Sequence, residues 1–239
     1  MKNLIVLIAS LFALGACVPT AMPPPSIQPQ EVILKVQSTS DAKVSVDDKI
    51  SRSMSIPYTE PEFDHQVQVI GDTVHFPIWS YISASDTLIL WKTIQVAKHK
   101  GLSKLYCYIN SGGGSAFDGL GISDVIMAAQ DEGFHVTMEA SGLIASAAVP
   151  IFAVGDTRIA SRGTMFMIHQ AQLFKYISSE KQDDLIAQSR MLSLLEDRYK
   201  DLVASRSKLT VDELTLKMAR TTWFTAQEAF EWGLVDRLK

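Results

Sequence analysis

The chain has 239 residues, 47% of them hydrophobic, and a formal net charge of -4. That apolar content can bury a core and excludes wholesale disorder. The acidic balance and the lack of a long basic block exclude nucleic acid as the main partner, which would need a clustered Lys/Arg footprint. In chain order, Met1-Lys2-Asn3 followed by the apolar stretch Leu4 to Ala16 predicts an export signal over residues 1–16, too short to span a bilayer, where about 20 apolar residues are needed. The stretch ends in Leu14-Gly15-Ala16-Cys17, the pattern of a bacterial lipobox, which makes Cys17 the expected lipidation site and first mature residue. A plain secretory signal cut near Ala16 is the alternative. Residues 17–62 are expected to be a tether, opening with Pro19, Pro23, Pro24, Pro25 and Pro29, with some strand-like alternation inside Val32 to Val46.

The folded domain is expected over 63–239. Short strands are predicted at Val67 to Ile70 and Thr73 to Phe76, then a helix over Ser83 to His99. Lys104 to Asn110 reads as a buried strand, with Leu105, Cys107 and Ile109 on one face, so that Cys107 is a packed, inert thiol. A helix follows over Phe117 to Gln130, a strand over His135 to Glu139, and a buried small-residue helix over Leu143 to Val154. Asp156 to Ala160 and Thr164 to Ile168 are strand-like, and Ser179 to about Ser205 is a long amphipathic helix. Thr210 to Arg220 is another, with Thr210 and Glu213 placed as a capping box, and Phe224 to Trp232 reads as a short helix. This alternation implies an α/β fold with a largely parallel sheet.

Three features carry chemistry. Ile109-Asn110-Ser111-Gly112-Gly113-Gly114 is a strand entering a turn that leaves backbone N–H groups uncovered, suited to a developing oxyanion. Ser146 lies among Ala145, Ala147 and Ala148, and His169 follows Met167-Ile168. Each taken alone fits a packing residue or a core histidine as well as a nucleophile and its base. The phosphate-binding glycine patterns are absent, and His65, His75, His99, His135 and His169 show no ligand spacing, so neither cofactor nor metal is expected.

Taken together, Tyr108 to Gly114, Gly142 to Ala148, Met167 to Gln170, Trp223 to Ala229 and Gly233 to Asp236 resemble the Clp protease proteolytic subunit (ClpP) family in order and approximate spacing. The resemblance implies the ClpP/crotonase-like α/β fold of repeated ββα units, with a long handle helix over Ser179 to Ser205. It implies Ser146 as nucleophile, His169 as general base, and the backbone N–H groups of Gly114 and Ala147 as oxyanion donors. It implies assembly into a homo-oligomeric ring acting on peptides or unfolded protein. At the third triad position, where the family has Asp, this chain has Thr221, and Gly112 stands where the family usually has Pro. Three readings follow: a Ser-His dyad, a substitute carboxylate such as Asp212 or Glu213, or a degenerate site.

The expectation is therefore a serine peptidase lipid-anchored to a membrane on the periplasmic side, without an AAA+ ATPase partner, since ATP is lacking outside the cytoplasm. The alternative is a catalytically weak or inactive scaffold of a membrane complex. A crotonase-type acyl-CoA enzyme and a Ser-Lys peptidase using Lys175 or Lys181 are further readings.

Overall fold

The computed structural model describes residues 62, 64, 66–173 and 181–239. The chain divides into two units, Met1–Pro57 and Tyr58–Lys239, and the described residues all belong to the second. The export signal, Cys17, most of the tether, Phe63, His65 and Lys175 lie outside them.

One mixed sheet organises the described residues. Its strands are β1 (Gln68–Ile70), β2 (Thr73–Ile82), β3 (Lys104–Gly114), β4 (His135–Ala145), β5 (Thr157–Ala160), β6 (Met165–Ile168), β7 (Thr222–Thr225) and β8 (Arg237–Leu238). The main path is β1-β2-β3-β4-β5-β8, with β6 branching from β4 and carrying β7. Pairing is parallel from β2 through β8 and between β4 and β6; β1 and β7 pair antiparallel to their neighbours. The helices are α1 (Ala84–His99), α2 (Ala116–Asp131), α3 (Ala148–Ala153), α4 (Gln182–Ser205), α5 (Val211–Ala219) and α6 (Ala226–Glu231). Helices between parallel strands are what a crossover requires, because a hairpin turn cannot reverse the chain twice. The core is the inward face of β2, β3 and β4, including Phe76, Ile78, Leu105, Ile109, Val136 and Met138, packed with Leu90, Ile122, Ile126 and all of α3.

Cys107 is fully buried in β3, and burial pushes its thiol up to about 12. Strict alternation of burial along β3 is the reason the period-2 reading succeeds there. The caps behave as their residues dictate. Asp86 accepts the Ser83 N–H at 2.8 Å and its hydroxyl at 2.7 Å at the start of α1. Thr210 and Glu213 form the expected box on α5, with N–H to carboxylate at 2.8 Å.

Four expected boundaries are corrected. β2 continues past Phe76 to Ile82; Pro77 is tolerated because β1 covers β2 only over Thr73–His75, leaving an open edge that needs no donor. β3 does not stop at Asn110, because Tyr81 and Ile82 pair with Gly113 and Gly114. The glycines therefore extend a strand rather than only turning the chain. Leu143 to Val154 is not one helix. Leu143, Ile144 and Ala145 pair with Met165, Phe166 and Met167, and only residues 148–153 are helical. Finally, residues 222–225 form β7, and the last helix starts only at Ala226. Thr225 decides this by capping α6, its N–H donating to Glu228 at 2.7 Å. The long helix starts at Gln182, and its Leu185, Ile186 and Leu194 are exposed.

Candidate active site

Ser146 follows the last residue of β4, and His169 follows the last residue of β6. These strands are parallel neighbours in register to Ala145↔Met167, so both residues leave the sheet at the same end. Strand carboxyl ends are where parallel sheets present functional groups. The outcome is direct: His169 Nε2 lies 2.8 Å from Ser146 Oγ. Ser146 has φ 54, an uncommon backbone conformation for a non-glycine residue, held by its N–H donating to the Met167 carbonyl at 2.8 Å and its carbonyl accepting from Val149 at 3.1 Å. Ser146 therefore lies outside any helix, although the sequence predicted one over Leu143 to Val154. Ser146 precedes a six-residue helix by one intervening residue, Ala147.

The glycine run sits against this corner. Gly113 has φ 95, and a Cβ on it would lie 2.7 Å from Ser146 Cβ, 2.8 Å from the Ala145 carbonyl oxygen and 3.0 Å from the Ala147 nitrogen. Gly114 is held against β2, where a Cβ would come 2.3 Å from the Ile82 oxygen. Gly112 is open, with its nearest neighbour at 3.8 Å, so that position does not need glycine. The buried Ser111 hydroxyl fastens the run, donating to the Ser80 carbonyl at 2.5 Å and accepting from the Gly113 N–H at 3.1 Å. Asn110 ties β3 to β4 by accepting the Leu143 N–H at 3.1 Å. A cleft of about 650 Å³ opens beside Ser146, His169 and Gly112–Gly114, walled by Tyr81, Phe117 and residues of α4.

A Ser-His pair beside a glycine strand at one end of a parallel sheet can carry acyl transfer. A profile of the Clp protease family matches residues 83–239. The chain belongs to the Clp protease family. It is 29% identical over 138 residues to ATP-dependent Clp protease proteolytic subunit 2 of Treponema pallidum, covering 56% of this chain and 65% of that protein. It is 31% identical over 136 residues to proteolytic subunit 3 of a Synechococcus, covering 56% and 66%. A third relative, from Porphyromonas gingivalis, is 31% identical over 133 residues, covering 55% and 57%. The chain thus spans a little under two thirds of these relatives' length. A solved point mutant of ClpP1 from Listeria monocytogenes superposes with a TM-score of 0.61 at 20% identity, covering 69% of this chain and 90% of that one, which establishes the shared fold.

Thr221, expected from the resemblance at a third triad position, is not an acid. The register Ile168↔Thr222 places Thr221 alongside His169 one step further on. Thr221 is exposed, has φ 49, and makes no side-chain hydrogen bond among the described residues. The substitutes nearest in sequence do not help. Glu213 is committed to capping Thr210, and neither it nor Asp212 lines the cleft. Lys181 is exposed and away from the cleft, so the Ser-Lys arrangement finds no support in that residue. Reading the sequence missed Ser111 and Gly113 as the residues that set the corner. The glycine run was visible in the sequence, but nothing there singled out Gly113 within it, and Ser111 had no signal. No group of three or more possible metal ligands occurs among the described residues.

Proposed function

We propose that the protein is a serine peptidase, tethered to a membrane through lipid on Cys17, that cleaves peptides or already unfolded polypeptide. The single observation that carries this is the 2.8 Å contact between Ser146 Oγ and His169 Nε2. In the proposed step, Ser146 Oγ bonds to the scissile carbonyl carbon while its proton passes to His169 Nε2. The oxyanion is held by the N–H groups of Gly114 and Ala147. His169 then protonates the leaving amine as the C–N bond breaks, and water releases the acyl group by the reverse proton path. Serine needs such a base because its hydroxyl barely ionises near neutral pH.

Residues 1–16 act as the signal and 17–62 as the spacer between lipid and peptidase domain in this reading. Each buried lipid CH2 adds about 0.8 kcal/mol of membrane affinity. Export removes the protein from ATP, so it works without an ATPase partner, on substrates short or unfolded enough to enter unaided. A homo-oligomeric ring is proposed on the strength of family membership.

A fluorophosphonate probe added without nucleotide to the full chain tests the chemistry. Covalent labelling is expected, abolished in Ser146→Ala and cut by several orders of magnitude in His169→Ala. No labelling of the native protein would sink the peptidase reading and favour an inactive scaffold, the reading to which the missing acid at Thr221 points. Cys17→Ser is expected to move the protein from the membrane to the soluble fraction.

A further inference from the structure

His169 can keep Nε2 free for Ser146 only if its Nδ1 carries the proton and finds an acceptor. The Thr221 hydroxyl is an acceptor by type, but among the described residues the His169 ring bonds to Ser146 and not to it. A small recess of about 40 Å³ adjoins Ser146 and His169, bounded by Glu196 and Tyr199 of α4. The two stand three residues apart, so one helix face carries both. The Glu196 carboxylate is anchored, accepting the Ala171 N–H at 3.0 Å, two residues beyond His169. The Tyr199 hydroxyl is buried and has no hydrogen-bond partner among the described residues. Burial pushes its ionisation up, so it stays a neutral donor. Leu120, Pro150, Leu195 and Met218 make much of the remaining wall apolar, and Gln170 on its rim is exposed. A recess of this size holds a water, and a buried water takes about three hydrogen bonds.

We propose that Glu196, acting through one water shared with the Tyr199 hydroxyl, is the residue that positions His169. The inference rests on the peptidase reading of the same site. The His169 Nδ1–H and the Tyr199 O–H both donate to the water, and the water donates to Glu196. When Nε2 takes the Ser146 proton, the Glu196 charge offsets the imidazolium from the opposite edge of the ring. The acid this chain lacks on the loop before β7 is thus supplied from the helix that covers the site. Among the described residues, the titratable side chains lining the two recesses around His169 are Tyr81 from β2 and this α4 pair.

The test combines nitrogen NMR of the His169 ring with fluorophosphonate labelling across pH, in the native chain and in Glu196→Gln, Glu196→Asp and Tyr199→Phe. Gln is isosteric and keeps an acceptor for Ala171, so the variant should fold. In the native protein the neutral ring is expected as the Nδ1–H tautomer. In Glu196→Gln the Nε2–H tautomer should gain population, labelling should fall at least tenfold, and its pH midpoint should move down. Glu196→Asp should restore part of each effect, and Tyr199→Phe should give a smaller loss. Equal tautomer populations in the native and Gln proteins would overturn the proposal, even with Ser146-dependent labelling intact. An Nδ1–H ring that depends on Glu196 in a protein that never labels would sustain the positioning and remove the peptidase.

Discussion

Replacing Gly113 with Ala tests whether the glycine strand sets the Ser146 corner. The new Cβ would come within 2.7 Å of Ser146 Cβ and 2.8 Å of the Ala145 carbonyl oxygen, and the residue would have to hold φ 95. Backbone strain of that kind costs about 1–3 kcal/mol. Overpacking adds about 1–3 kcal/mol, since the crowding atoms are backbone and Cβ rather than a movable side-chain tip. Part of this will be relieved by moving the corner, leaving a net loss of about 2–4 kcal/mol and a fall in Tm of about 5–15 °C for a domain of this size. The same relief displaces Ser146 Oγ from its 2.8 Å contact, and a shift near 1 Å costs about 10²-fold in rate. Gly112→Ala is the internal control, because its nearest neighbour lies at 3.8 Å and its φ is ordinary. Thermal unfolding and fluorophosphonate labelling of the two variants side by side decide the matter. If Gly112→Ala and Gly113→Ala behave alike in both assays, the close approach is not what orders the site.

Thr221→Asp places a carboxylate where the strand register passes His169, and labelling is expected to rise about tenfold, with an unchanged rate counting against that register. Asp also accepts the positive φ of 49 better than a β-branched residue, so the variant should be no less stable. Burial opposes ionisation of Glu139, but hydrogen bonds from Lys239 and Tyr106 outweigh it and hold the carboxyl below its ordinary 4.5. Its folded value being the lower, its stabilisation is present above about pH 4.5 and lost as pH falls through the folded value. Glu139→Gln should therefore unfold about 1–2 kcal/mol more easily at pH 7, with the gap closing in acid; a denaturant midpoint difference that is constant with pH would refute it. Cys107, buried and with its thiol raised to about 12, should react with a thiol reagent only on unfolding in a Cys17→Ser background, and prompt native reaction would contradict the packing.

Where one local rule dominated, the sequence was legible. Alternation located the inward face of β3, and the Thr210-x-x-Glu213 box located α5. The same box rule at Thr225-x-x-Glu228 marks the start of α6 and leaves 222–225 for β7, a boundary that reading the whole stretch as helix obscured. The run Leu143 to Val154 carried no period because nearly all of it is buried, Leu143 and Ser146 being half-buried, and strand could not be told from helix until β6 lay against it.

Order and spacing along the chain pointed to the family, to Ser146 and His169 as a pair, and to Thr221 where the resemblance expects an acid, since each is a matter of which residue stands where. Only the folded sheet decided that the two strands end together, that Gly113 rather than Gly112 closely approaches Ser146, and that Glu196 and Tyr199 reach the recess beside His169. Those are meetings between segments tens of residues apart, fixed by strand register and helix packing, which no local pattern of side chains encodes.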